Sequence, residues 1–420
     1  MKRSILTLSL LSVFAVSSCQ KDFDEVTPRG DDQRAEVNGV TPAAPSLLST
    51  EGAEAGVLYM RIQKSAKPSL RAFDSGAASM QALPSQLARS LQSIGSETME
   101  PLFPIDPRFE KRMRREGLDL WYIVRFDKKQ DLRSAMQTLL ATPEVEYAEP
   151  VYQLALPDAK PVAVSDARRT DEPAAPFNDP LLPDQWHYNN TGKFARSIAG
   201  ADIGLFEAWK TETGKPNVIV AITDGGIDTK HPDLKDNLYI NDKELNGQTG
   251  VDDDGNGLID DIYGFNFIHS NGKIYPDDVS HGTHVAGTVA ARNNNGIGVG
   301  GIAGGDGTPN SGIRLMSAQI FGGKNENGNS TRALIYSANN GAVISQNSWG
   351  YRYEAQITTL PQSLKAAIDY FIKYAGCDND GNQLPNSPMK GGVVIFAAGN
   401  DGREYNSLPA AYEHVVAVAS

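Results

Sequence analysis

The sequence predicts an α/β fold in which a parallel sheet flanked by helices, over residues 177–420, follows a small α+β domain over residues 51–156. Three observations carry that prediction. Val218-Ile-Val-Ala-Ile222 is an unbroken apolar run leading to Asp224, and Val393-Val-Ile-Phe-Ala-Ala398 is a second one leading to Asn400. Continuous runs of this kind mark strands buried on both faces, as parallel sheets require. Between them, Ser280 to Ala291 reads as a helix that opens on His281 and carries Gly282, Ala286, Gly287 and Ala290. Side chains that small let His281 approach other groups closely.

Composition narrows the function. A chain of 420 residues exceeds the size at which one core stops growing, about 250 to 300 residues, so two or three domains are expected. A formal charge of −12 argues against nucleic acid, whose phosphates select a basic surface. With only two cysteines, a disulfide framework is excluded.

Taken in order, Lys2 and Arg3 precede the apolar run Ile5 to Val16, too short to span a bilayer and laid out as a secretory signal over residues 1–18. Val16-Ser-Ser-Cys19 resembles the lipobox of bacterial lipoproteins. That resemblance implies that Cys19 becomes an acylated first residue, and that the membrane is touched only through this anchor. An ordinary signal with an incidental cysteine is the other reading. Gln20-Lys-Asp-Phe-Asp-Glu25 resembles the acidic export signals of surface lipoproteins, which implies an outer-membrane or cell-surface location. Residues 19–50 are rich in Asp, Glu, Pro, Ala and Ser, and read as a flexible tether.

Apolar density returns at Val57-Leu-Tyr-Met-Arg-Ile62, and Leu118 to Phe126 is β-branched and aromatic enough for a strand. Leu132, Ala135, Met136, Leu139 and Leu140 fall on one helical face. Val145 to Tyr152 reads as another strand, placed at a sheet edge by Pro150. This β-α-β order defines the α+β domain. Residues 157–176 are again Ala-, Pro- and charge-rich and read as a linker containing the dibasic pair Arg168-Arg169. Ala201 to Lys210 is expected to be a helix.

Asp224-Gly-Gly-Ile-Asp228, His281-Gly-Thr-His-Val-Ala-Gly-Thr288 and Ala397-Ala-Gly-Asn400 resemble three successive signatures of the subtilisin-like serine proteases. Gly225 departs from the Ser or Thr usual there. The resemblance implies that His281 is the general base, that Asp224 orients its ring, and that Asn400 donates to the oxyanion. Asn400 also opens an Asn-Asp-Gly turn. Val343-Ile-Ser-Gln-Asn-Ser-Trp-Gly350 resembles the family's substrate strand. There Ser348, Trp349 and Gly350 would pair with a peptide or protein substrate as an added β-strand. Residues 51–156 resemble the ferredoxin-like inhibitory propeptide, which implies that the chain carries its own intramolecular inhibitor; an adhesion or linker domain is the alternative. His284 reads as a packed structural histidine. Zinc held by His281 and His284 is a weak reading, because the helix lacks the Glu of His-Glu-x-x-His and no third ligand is evident.

Val251 to Asp261 places oxygen ligands at alternate positions around glycines, which suits a structural calcium ion. Asp252, Asp254, Asn256, the Leu258 carbonyl and Asp260 or Asp261 are the candidate ligands, against a plain solvated acidic turn. The twelfth position is Tyr263 rather than Glu, so the loop is not an EF-hand. Cys377-Asp-Asn-Asp-Gly-Asn382 repeats the pattern faintly.

The resemblance also implies a Gly-Thr-Ser-Met-Ala helix several dozen residues beyond Asn400, and residues 1–420 contain none. The expectation is therefore a serine endopeptidase whose sheet is incomplete at its C-terminus, whose nucleophile lies beyond the end of this chain, and which is inactive as it stands. A split gene, a pseudoenzyme, or an inactive calcium-holding, peptide-binding module would fit the same sequence.

Overall fold

In the computed structural model, residues 48–70, 73, 83–156, 175–193, 197–323, 326–352, 355, 357–400, 402 and 407–419 are described. The signal, residues 19–47 of the tether with Cys19, and residues 157–174 of the linker lie outside them.

The N-terminal domain runs β1 (Ala53–Ile62), α1 (Ser85–Ser93), β2 (Ser96–Pro101), α2 (Glu110–Arg115), β3 (Trp121–Phe126), α3 (Leu132–Leu140) and β4 (Val145–Tyr152). The four strands form an antiparallel sheet in the order β2-β3-β1-β4. Pro150 thus lies on an edge strand, where its missing N–H does no harm. Leu118–Leu120, expected to belong to the strand, instead forms a 3₁₀ turn entered through Gly117 in the left-handed region. Asp131 starts α3 by accepting from the Ser134 N–H.

Alternation along β3 buries both faces of this sheet. Tyr122 and Val124 pack with Leu87, Leu91, Met136 and Leu139 of the domain's own helices. Trp121 and Ile123 point the other way, into a cluster shared with Leu334, Leu364 and Ile368 of the C-terminal domain.

Among the described residues the main sheet of the C-terminal domain has six strands: β6 (Ile219–Asp224), β7 (Gly264–Asn266), β8 (Arg314–Gln319), β9 (Ile344–Asn347), β11 (Val393–Ala397) and β12 (Val416–Val418). They run in the order β12-β11-β9-β6-β8-β7, and every pairing is parallel. A short strand β5 (Leu154–Ala155) leaves the N-terminal domain and pairs with β10 (Gly350–Tyr351). Val220 and Ile222 face α4 (His281–Ala290) through Ala286 and Ala290. Ala221, Met316 and Phe396 face α5 (Ser330–Asn339) and α6 (Gln362–Tyr374) on the other side. Helices thus cover both faces at the centre, which is why the strand sequences read as unbroken apolar runs. At the edge, β12 is open, with Val416 47% and Val418 53% exposed.

The segment Ala201 to Lys210 is helical only over Leu205–Ala208. Gly204 sits in the left-handed region just before it, and its N–H donates to Asp202 Oδ1, so the helix cannot extend backwards.

One carboxylate ties the two domains. Helix α6 begins after Pro361, which offers no capping side chain, and Glu149 of β4 supplies the missing acceptor. Fully buried, it accepts from Gln362 N–H at 2.6 Å and Ser363 N–H at 3.0 Å. Glu149→Ala leaves the buried Ser363 N–H, and the Gln362 N–H at the surface, without this acceptor. It should cost about 1 to 3 kcal/mol, read as a lower urea midpoint with faster proteolysis between the domains.

Candidate active site

Asp224 ends β6, the strand with β8 on one side and β9 on the other, at the carboxyl edge where α/β sheets gather their chemistry. It is fully buried. Its Oδ1 accepts from Gly225 N–H at 2.7 Å and lies 2.8 Å from His281 Nδ1. Oδ2 has no partner among the described residues. Burial pushes the Asp224 carboxyl up, against the hydrogen bonds from His281 and Gly225 that favour its ionised form. For the pair, the direction that matters chemically is that of the ring: the hydrogen bond to Asp224 raises the His281 imidazole above its ordinary value, despite partial burial.

Three glycines make that bond possible. A Cβ on Gly282 would lie 2.6 Å from Gly226 O, 2.9 Å from Gly226 N and 3.0 Å from Gly225 N. The helix therefore rests directly on the backbone of the turn after β6. Thr283 Oγ1 accepts from Asp228 N–H at 2.9 Å and ties helix to turn a second time.

Asp277 was not singled out in the sequence, although it stands four residues before His281. Its Oδ1 accepts from Val279 and His281 N–H, capping the first turn of α4. A Cβ on Gly225 would fall 1.6 Å from Asp277 Oδ2. The departure at Gly225 thus has a steric reason: a buried carboxylate fills the space a side chain would need.

His284, expected to be packed, is exposed instead. Helix α4 buries Gly282, Ala286 and Ala290, and position 284, about 200° round from Gly282, faces away. No cluster of three candidate metal ligands among the described residues includes either histidine.

Register sets the level of the third motif. Ile222 and Ile395 both pair with Gln346, so Ala397 is level with Asp224 and Asn400 follows three residues beyond, exposed. On the strand between them, Ser348 Oγ accepts from Gln346 Nε2. Trp349 is buried, its ring edge-on to Phe396 at 5.0 Å, while Gly350 pairs with Ala155. The chain's own β5 therefore lies antiparallel along the stretch read as a substrate strand.

The family described as "Subtilase family" matches residues 215–420, and that described as "N-terminal of Subtilase family" matches residues 75–192. The chain belongs to the subtilase family. Over 169 residues this subtilase is 34% identical to "Subtilisin-like protease 1" of Plasmodium berghei (strain Anka), covering 40% of this chain but 27% of that protein. Over 223 residues it is 31% identical to "Major intracellular serine protease" of Bacillus subtilis (strain 168), covering 51% of this chain and 54% of that one. It spans only part of the length of either relative. The crystal structure of fervidolysin from Fervidobacterium pennivorans, "a keratinolytic enzyme related to subtilisin", aligns with 87% of this chain and 43% of that one, at 18% identity and a TM-score of 0.47.

The subtilase's acidic loop is organised differently from the pattern read along it. Candidate ligand oxygens of Glu244, Asp254 and Asp261 lie within 4.8 Å of one another. Glu244, on the short helix Asp242–Asn246, is too far from the loop in sequence to have been read with it. Asp252 is turned inward onto the N–H groups of Gly255, Asn256 and Gly257, and Asp260 onto that of Gly250. Asn256 is buried and bonds Asp261 Oδ2, while Leu258 N–H donates to Asn256 Oδ1. Burial, with Asp254 and Glu244 nearby, pushes the Asp261 carboxyl up to about 7. Three carboxylates gathered this closely offer the oxygen ligands that a hard divalent cation takes. Asp254 also meets Arg108 of the N-terminal domain, Nη1 to Oδ2, at 2.8 Å.

Proposed function

We propose that this subtilase is a serine endopeptidase precursor that hydrolyses peptide bonds with an Asp-His-Ser triad. The observation that supports it best is the 2.8 Å bond between a fully buried Asp224 and His281 Nδ1 at the carboxyl edge of the sheet. With Nδ1 held there, the ring presents Nε2 to a hydroxyl, takes its proton as the serine attacks, and returns it to the leaving amine. Asn400 would donate to the developing oxyanion. A donor in that role contributes about 2.7 to 4 kcal/mol, a figure measured on subtilisin, the enzyme for which this family is named. Peptide would bind by strand addition near Ser348 to Gly350, where the chain's own β5 now lies.

The serine, in this reading, comes from outside residues 1–420, which alone are inactive. In support, no hydroxyl among the described residues bonds His281 Nε2. A fluorophosphonate probe tests this. It should leave residues 1–420 unlabelled and label one serine in the product of the gene read past Ser420. If that longer product stays unlabelled, the inactive calcium-holding, peptide-binding module becomes the better reading.

The precursor would be exported, anchored by an acylated Cys19 at the outer membrane or cell surface, and inhibited by its N-terminal domain. Calcium would be held by Glu244, Asp254 and Asp261, locking the loop after β6 to α5 through the Tyr336 bond to Asp261. At a hundredfold excess over Kd, bound calcium should add roughly 2.7 kcal/mol. A chelator should remove that increment from the wild type and not from Asp261→Asn, read by thermal unfolding.

A further inference from the structure

Arg112, in α2 of the N-terminal domain, is fully buried and carries a five-donor guanidinium into the interior. Among the described residues no carboxylate pairs with it. Its donors meet four neutral oxygens of the subtilase region instead. Nε donates to Tyr370 Oη at 2.7 Å, Nη2 to Asn339 Oδ1 at 2.6 Å, and Nη1 to the carbonyls of Tyr374, at 3.1 Å, and Cys377.

The placement of these oxygens explains how uncharged groups hold a cation. Asn339 is the last residue of α5 and Tyr374 the last of α6. The guanidinium therefore sits where two helices end together, beside the negative end of each dipole; α6 meets it through the Tyr374 carbonyl, which also accepts from Cys377 N–H, and α5 through the Asn339 side chain. The rings of Tyr370 and Tyr374 lie 5.3 and 5.6 Å from its central carbon, within range of cation–π attraction. The Tyr370 hydroxyl donates to Asn339 Oδ1 at 2.8 Å, which fixes the amide oxygen toward the cation. Every oxygen that accepts from the guanidinium belongs to the subtilase region; the N-terminal domain brings the cation, the Phe109 ring stacked 3.7 Å from its central carbon, and Asp106, whose Oδ2 accepts from Asn339 Nδ2 at 3.2 Å.

We infer that the adjoining C-terminal ends of α5 and α6 form a guanidinium-binding site. Arg112 fills it in this form. Once the N-terminal domain leaves, the site is open to an arginine side chain of a peptide substrate or partner, a step that rests on the reading of that domain as a releasable inhibitor. Arginine is favoured over lysine by geometry. Four oxygens spread around a plane match a five-donor fork, whereas an ammonium carries three donors on one atom.

The test uses the full chain and does not depend on catalysis. Arg112→Ala should lower Tm and speed proteolysis near Glu110–Arg115. Millimolar methylguanidinium should recover at least half of the lost Tm in that variant and leave the wild type unchanged. Methylammonium at the same concentration should do neither. Equal recovery by the two ions, or none by methylguanidinium, overturns the site. Should Arg112→Ala fail to fold, hydrogen exchange of α2 in the wild type decides. N-acetylarginine methylamide should accelerate it and N-acetyllysine methylamide should not; the same rate with both overturns the inference. An inactive chain with intact discrimination would count against the protease reading and not against this one.

Discussion

In the proposed endopeptidase, assayed with its serine in place, replacing Asp224 by asparagine should lower turnover about 10⁴-fold. In a serine protease with the same pairing the amide holds the wrong imidazole tautomer and costs that much. Removing His281 costs more, on the order of 10⁶, a figure measured on subtilisin itself. The amide variant also moves a titration. The hydrogen bond to Asp224 holds the His281 imidazole above its ordinary 6.5, so Asp224→Asn should bring it down, visible as a shifted ring resonance in a proton titration. The sign for stability follows from the same shift. Because the folded state binds this proton more tightly than the unfolded chain, the contribution is complete below about pH 6.5 and is lost as pH rises through the raised value. The variant should show a flatter stability profile over that window.

Gly282→Ala should reduce turnover by about 10², the penalty expected when a catalytic group is misplaced by around 1 Å, with KM little altered. The three atoms nearest an added methyl at Gly282 all belong to the Gly225-Gly226 backbone, which cannot swing aside as a side chain could. The helix must lift, and His281 is its first residue. Gly287, in the same helix, has nothing within 4 Å of its Cβ position. Gly287→Ala should leave turnover unchanged and stabilise the helix by roughly 0.5 to 1 kcal/mol. The two variants separate close approach from helix propensity, because the same chemical change has opposite consequences at two positions in one element.

Much of this arrangement was legible in the sequence because it follows from local patterns. The β6 and β11 strands announce themselves as apolar runs between glycines, and α3 as a single apolar stripe. Asp224 and His281 were readable because each ends or begins such an element. What escaped depends on contacts between distant segments. Glu244 joins Asp254 and Asp261 only after its own short helix folds back on the loop. Glu149 and Arg112 look like ordinary charged residues of the N-terminal domain until the ends of α5 and α6 are brought against them. Trp349 lies in the motif read as a substrate strand, but the period-2 alternation of that segment sends its ring to the core. His284 was misjudged for lack of an orientation: Gly282, Ala286 and Ala290 mark the buried face of α4, and position 284 falls outside it.

The neighbours of β6 are late arrivals. Asp224 is level with Gln319 of β8, and Ile222 with Gln346 of β9. At about 5 to 20 residues per second, the ribosome needs several seconds after making the Asp224 strand before either partner exists. The N-terminal sheet, by contrast, is complete in sequence before β6 is begun. During synthesis the strand that carries Asp224, the partner of His281, is therefore an unpaired apolar segment beside an already foldable domain. Aggregation of nascent chains should be most acute when translation stalls between Asp224 and Gln319.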